Sequence, residues 1–544
     1  MRRTEGLGFH VVAASRRDLA ADRRRNMGKR RRSAMTIVRG DLMDLSGNGA
    51  PLGEQERLNE ATRWLSSRVL VDDKFRDRVY RLLCIPSARC IAPAPGIDLP
   101  ALARHAAWAV EDEIQTRRRT AQIALVGVAL VAAGPVVLLA GGPWWVPLAA
   151  GLALLLGAAG YVVERRARRA ARGRHVFHHE VVEKIGRDLL PREQCDRLEQ
   201  ANAGDLLVYD ERRTVADEPG QGAFPGFGDL VGHEVRVPVD ISKALDDNRP
   251  RGRVTPHDLM VHLTRKIPRH IDLTAITDDC SARLVAHVHG DAVASMEGML
   301  TRSGSRVVAR APAGLVERAA NRPTRAVRAY VVAQIVGHEG QLVTTVHTSA
   351  VLGTTGLSLN IVIHVLTPLR EAYEKAREVP GDVWLRRLYV ARTHKAVNLV
   401  RRSPGEWRRL RRLRREAQRS ERLPGRARLP IRRRRPTEAD PYGAHRSVRD
   451  RPHQNFALRY TERVDLQRQV NDLMRAIFRE TEAYLEAHNI DGSAFRDDAH
   501  EAMQTVTNNI TTVIGALVQG STVAGSVSGD AYTGMDELAD AKTT

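Results

Sequence analysis

From Thr120 to Val163 the chain carries no Asp, Glu, Lys or Arg, and this apolar run is its strongest pattern. The run is twice the length of one membrane crossing, for which about 20 apolar residues suffice at about 1.5 Å per residue. Gly141-Gly142-Pro143 interrupts it, and glycine and proline together punctuate helices. The pattern predicts two transmembrane helices, about 121–140 and 144–163, inside a hairpin segment 117–175. Pro135 is expected to kink the first, and Trp144 and Trp145 to sit at the interface of the turn. Arg117, Arg118 and Arg119 precede the run, Arg165, Arg166, Arg168, Arg169, Arg172 and Arg174 follow it, and the turn is uncharged. Positive flanks stay in the cytoplasm, which predicts a two-span, multi-pass protein of the cell membrane with both termini cytoplasmic. Ala149, Ala153 and Gly157 form a small-residue stripe at four-residue spacing, suited to packing against the first span or a second copy.

The pattern on either side is soluble. Over 51–116, Leu58, Ala61, Trp64, Leu65, Phe75, Val79, Leu82 and Leu83 recur at helical spacing, and Pro93, Pro95 and Pro100 divide off a last helix leading into the membrane. After the hairpin, a helical stretch to about Gln200 gives way to a Gly-rich loop at 219–228. Strand-like segments follow at 283–288, 306–309, 326–336, 341–351 and 357–366. In the last, Leu357, Leu359, Ile361, Ile363 and Val365 alternate with Ser358, Asn360 and His364, the period of a half-buried strand. Gly337-His338-Glu339-Gly340 reads as a hairpin turn. These predict a mainly antiparallel α+β domain over 176–400. A helical segment is expected over 456–500, and a Gly/Thr/Ser-rich, β-prone tail over 501–544, where Gly515, Gly520 and Gly525 recur. The fold class is an α+β membrane protein: a helical segment, a two-helix transmembrane hairpin, then the α+β domain.

Composition changes this picture at two places. The net charge is +21 over 544 residues, and two segments account for all of it: Arg2 to Ala34, net +8, and Arg401 to Pro436, net +13. Residues 1–50 read as a basic, disordered arm, with Gly6 to Ser15 too weakly apolar for a signal peptide. Residues 401–455 read as an Arg-rich linker containing an amphipathic helix. In it Trp407, Leu410 and Leu413 form an apolar stripe, Arg408, Arg409, Arg411, Arg412 and Arg415 lie outside the stripe, and Arg414 interrupts it. A Trp/Leu stripe on a basic helix predicts contact of these nine residues with the membrane surface, with anionic lipid as partner and nucleic acid as the alternative. A homo-oligomer through the tail or the second span is the other partner expected.

Several stretches taken together resemble a group of uncharacterised actinobacterial two-span membrane proteins. They are Ile91 to Asp98, the hairpin, Phe224-Pro-Gly-Phe-Gly228, Leu366 to Tyr373, and Asn489 to Ser493. The resemblance spans most of 53–529 and implies an arrangement of the fold but no activity.

Candidate chemistry is sparse. His175, His178, His179 and Glu180 lack HExxH spacing, and His287 and His289 share one strand face without a neighbouring Cys or acid. Gly220, Gly222, Gly226 and Gly228 lack the order of a phosphate loop. Cys84, Cys90, Cys195 and Cys280 form no CxxC pair, and they read as reduced thiols. No catalytic, cofactor or metal residue can be named. The expectation is a non-enzymatic interaction or regulatory domain presented at the inner face of the membrane. A tethered enzyme with an unrecognised site in the α+β domain is the first alternative, and a membrane-bound nucleic-acid binder the second.

Overall fold

The computed structural model describes residues 58–143, 145–172, 189–210, 224–231, 234–271, 277–301, 306–353, 356–370, 373, 393–422, 442–444, 446–450, 452 and 458–524. They belong to one compact unit, Leu58–Thr544. The expected N-terminal arm, His175 to Glu180, Gly220 and Gly222, and the tail beyond Ala524 lie outside the described residues.

Helix α1 (Glu60–Val71) starts where the Asn59 side chain accepts from the Thr62 amide. Asp72 then caps α2 (Asp73–Val79), accepting from the amides of Lys74 and Phe75. Both are side-chain caps of the kind that satisfy the free N–H groups of a first turn. A π-helical turn, Tyr80–Cys84, closes this piece. Asp98 caps α3 (Leu99–Leu139), which runs on through Pro135. Helix α4 (Trp145–Arg172) returns alongside it after the Gly141–Pro143 turn.

Helix α3 changes character within one turn. Through Thr120 it is mostly buried in the helical core with Leu65, Phe75 and Leu83. From Ala121 onward its apolar side chains stand open, Leu125 at 70% exposure and Leu139 at 89%. Helix α3 is long and apolar enough to cross a membrane, whereas the apolar stretch of α4 is shorter, Trp145–Gly157. The two helices meet at glycine: a Cβ on Gly151 would lie 2.6 Å from the Gly127 carbonyl oxygen. The stripe of Ala149, Ala153 and Gly157 is exposed and does not pack against the first span.

Helix α5 (Arg192–Ala203) leads to β1 (Leu206–Tyr209), β2 (Asp229–Leu230) and β3 (Val235–Val239). Then come α6 (Pro256–Lys266) with a 3₁₀ turn Ile267–His270, β4 (Thr277–His289), the short α7 (Gly290–Val293) and α8 (Leu315–Asn321). The sheet is completed by β5 (Val327–Gly337), β6 (Leu342–Leu352) and β7 (Leu357–Leu366). Its order is β1-β4-β5-β6-β7-β2, with β3 also on β7. All pairings are antiparallel except the parallel β1–β4, so the sheet is mixed. The turn at His338 and Glu339 is as expected, both residues taking positive φ, the backbone a tight two-residue hairpin demands. The expected strand at 306–309 is only an isolated bridge from Val307 to Leu300.

Three helices follow: α9 (Thr393–Arg422), α10 (Tyr460–Ala487) and α11 (Ser493–Ala524). They revise the sequence reading of the C-terminal third. The β-prone tail is helical as far as Ala524, because Ala502, Val506 and Ile510 recur every fourth residue and bury one face. Helices α10 and α11 do not form a separate segment: with α6 and α8 they cover one face of the sheet in a single core. The Arg-rich helix α9 does not sit in a linker, since it packs on α3 and α4.

Candidate functional site

Strand alternation delivers a second, polar face to the sheet, opposite α6, α10 and α11. Arg283 and His287 on β4, Tyr330 on β5, Thr345 and His347 on β6, and His364 on β7 share it. Val332 pairs with Arg283 on one side and His347 on the other, while Thr345 pairs with His364. His347 and His364 are therefore diagonal neighbours on adjacent strands, and their Nδ1 atoms lie 3.3 Å apart.

The loop Phe224–Gly228 closes over this face. Gly226 (φ 89°) and Gly228 (φ 91°) allow the close approach: a Cβ at 226 would stand 2.0 Å from the Pro93 carbonyl oxygen, and one at 228 stands 2.2 Å from that of Val365. Only glycine fits either position. The loop thereby sets the Phe224 ring among the histidines, with centroids 4.2 Å from His347, 4.9 Å from His287 and His364, and 5.3 Å from Tyr330. Phe227 meets His347 edge-on at 4.7 Å.

The three imidazoles are buried, at 2% exposure or less. Among the described residues neither ring nitrogen of His287 has a hydrogen-bond partner, nor has Nε2 of His347. Burial pushes His287 down to about 3, with the nearby Arg283 charge and His364 adding to it. Burial alone takes His364 to about 3. His347 falls well below the usual histidine value through burial, then His364, His287 and Arg283. Arg283 donates through Nη1 to the Gly204 carbonyl at 3.1 Å, and burial lowers it to about 10.

All three imidazoles are neutral at physiological pH, each with one donor and one acceptor to offer. The short His347–His364 contact requires one ring to donate and the other to accept. Among the described residues no carboxylate bonds to any of the three, as a His general base is usually oriented. Among the described residues no group of three or more His, Cys, Asp or Glu is placed to hold a metal ion.

A smaller polar cluster lies on the helical face. Glu480 on α10 bonds His262 of α6 at 2.8 Å and also His270 of the 3₁₀ turn. Burial raises the Glu480 carboxyl, but the two imidazole hydrogen bonds outweigh it and hold it below the usual range. This clamp ties α6 to α10, with the Tyr484 ring tilted against His262 at 5.4 Å.

The residues named from the sequence separate in the structure. His287 joins the buried cluster, whereas His289 lies beside Asp291 at the strand end, 3.9 Å away. Leu410 and Leu413 are buried and Trp407 is partly buried in the helical core. That stripe is therefore an interior contact and not a free, membrane-inserting face. Arg414 pairs with Glu111 at 2.9 Å and Arg409 with Asp77 at 2.6 Å. Arg408, Arg411, Arg412 and Arg415 remain exposed. His347 and Tyr330 were not named from the sequence, His364 was named there only as a polar position of its strand, and Phe224 only within a resemblance motif. Parity along the strands places His347 and His364 on one face, but the strand order that makes them neighbours is not a local signal.

A family model described as the AbeC-like domain matches residues 234–523. The match runs from β3 to α11, takes in all three histidines, and leaves out α1–α4. Searches of curated proteins and of solved structures return no match.

Proposed function

Since the chain belongs to the AbeC-like domain family, we propose that it is an integral membrane protein holding this domain, as a non-enzymatic binding or regulatory module, at the inner face of a membrane through a two-helix hairpin. The carrying observation is the change along α3 at Thr120. Most side chains before it are buried, and nearly all apolar side chains after it are open or half-open, as they are on the facing part of α4. Ala121 to Leu139 is nineteen residues, about 29 Å of helix, which matches a hydrocarbon core of about 30 Å. Contiguous apolar surface of this kind is not maintained in water by a monomeric protein.

The second span draws on α4 and its uncharged stretch to Val163. Arg118 and Arg119, exposed at the base of α3, and the arginines following Val163 mark one side as cytoplasmic.

The hairpin is coupled to the helical core without a flexible joint, because α3 is one helix through both. Thr116 and Thr120 bond back to the carbonyls of Asp112 and Thr116, and Arg117 to Glu113 at 2.6 Å, inside the helical core. That core is in turn fastened to the sheet by Arg449, which donates to carbonyls on both. A rigid mount of this kind suits a module whose position relative to the membrane matters to its partner.

Thiol labelling tests the reading. In a chain with Cys84, Cys90, Cys195 and Cys280 replaced, Gly142→Cys should react with a membrane-impermeant maleimide added to intact cells. Arg322→Cys, exposed beyond α8, should react only after lysis. Labelling of both positions from outside, or recovery of the chain in the soluble fraction, would rule the reading out.

A further inference from the structure

We infer that the outer face of α9 is a docking surface for anionic phospholipid headgroups of the membrane that holds the hairpin. The inference rests on the membrane-anchored reading above. Arg408, Arg411, Arg412 and Arg415 are spaced i, i+3, i+4 and i+7, which gathers them into one stripe about 100° wide. All four are exposed. The stripe lies opposite Leu410, Leu413 and Ala417, which are buried against the helical core. The inward basic residues are already paired, Arg414 to Glu111 and Arg409 to Asp77 and Glu406. Arg411 also lies over the Trp407 ring at 5.0 Å. Among the described residues no acid pairs with any of the four outer arginines, so four charges stand within about 11 Å of helix.

Location selects the partner. Arg414 is pinned to Glu111, ten residues before Ala121, where the open apolar part of α3 begins. Ten residues of helix are about 15 Å, of which the headgroup layer itself covers about 5–7 Å. The remaining gap is about one Debye length at physiological salt, and an extended arginine spans most of it. Arg118 and Arg119 add exposed positive charge on the same side. Because the apolar stripe of α9 is buried in the protein, the contact is electrostatic and involves no insertion. It is expected to be salt-sensitive and indifferent to acyl chains.

The test uses the full chain in nanodiscs of phosphatidylcholine with or without phosphatidylglycerol, each lipid carrying a photo-reactive diazirine on its headgroup. Peptides from 404–418 should crosslink to the glycerol lipid and not to the choline lipid. Labelling should drop at least about tenfold in the Arg408→Gln, Arg411→Gln, Arg412→Gln, Arg415→Gln variant, and on raising salt, as expected when each basic residue near an anionic leaflet contributes about fivefold. Glutamine keeps the helix propensity and the four positions are solvent-facing, so folding is preserved. Unchanged labelling in the variant, or equal labelling by both lipids, overturns the inference, as does displacement of the lipid signal by a short RNA at the same salt. A diazirine in the acyl chain is the separate control: if it fails to label 121–139, the anchor reading has failed and not this one.

Discussion

Replacing Arg449 by Met should cost the protein at least about 3 kcal/mol of stability, since each buried acceptor left without its donor costs about 1–3 kcal/mol. Arg449 is fully buried. Its guanidinium donates to the carbonyl oxygens of Pro95 (2.8 Å), Gly340 (2.6 Å), Gln341 and Thr367 (3.4 Å). Pro95 belongs to the proline-rich entry to α3, Gly340 and Gln341 to the β5–β6 turn, and Thr367 to the end of β7. One side chain therefore joins the helical core to the sheet. Ser447 adds a second bond across the same seam, its hydroxyl donating to the Pro93 carbonyl at 2.7 Å. Burial lowers the Arg449 guanidinium to about 9, so it is still charged at neutral pH and its hydrogen bonds are of the stronger, charge-assisted kind. Arg449→Lys keeps a charge but brings three donors on one atom in place of a planar fork, and an intermediate loss is expected. Arg446→Met, three residues away and exposed, should change stability by less than about 0.5 kcal/mol. Denaturant unfolding of the detergent-solubilised chain, compared across the three variants, reads the difference directly. Equal losses at 446 and 449 would show that the seam does not depend on this residue.

Local periodicity made the apolar run and three long strands readable. In β7 every odd residue from Leu357 to Val365 is apolar, and each of them is buried. The turn at 337–340 was readable from its two glycines, Gly337 and Gly340, although His338 and Glu339 are the central residues that take positive φ. The C-terminal third was not, for two different reasons. Over 501–544 the glycine spacing and the Val/Thr content suggested strand, and they masked the deciding pattern, Ala502, Val506 and Ile510 at four-residue intervals. For α9 the amphipathic pattern was correct, but a stripe records only that an apolar surface covers it. Whether that surface is a lipid or α3 is a tertiary fact. Arg449 shows the same limit, for its four acceptors lie at 95, 340, 341 and 367, and nothing near position 449 distinguishes it from the surrounding arginines. The histidine cluster falls between these cases, with strand parity legible and strand adjacency not.

Acid should destabilise this protein through the buried histidines, and His287→Leu should remove part of that sensitivity. In the folded chain His287 and His364 sit at about 3, and His347 is also depressed. In the unfolded chain each returns to about 6.5. Below about pH 6.5 the unfolded state therefore takes up protons that the folded state refuses, and stability falls as pH falls. It is fully present above about pH 6.5, and the loss saturates only near pH 3. Between pH 7 and pH 5 each such imidazole costs about 2 kcal/mol, so two or three of them amount to about 4–6 kcal/mol, comparable to the whole stability of a typical domain. Among the described residues no carboxylate bonds to any of these rings, and the Arg283 charge on the same face opposes their protonation. His287 is the informative one to replace. Its two ring nitrogens have no partner among the described residues, so leucine removes an unsatisfied polar group of similar volume and should leave stability at pH 7 unchanged or slightly higher. The wild-type and variant unfolding free energies, measured by denaturant titration at pH 7, 6 and 5, should diverge by about 2 kcal/mol at the lowest pH. Parallel pH dependences in the two chains would mean that His287 takes up its proton in the folded state, and hence that the face beneath Phe224 is open to water.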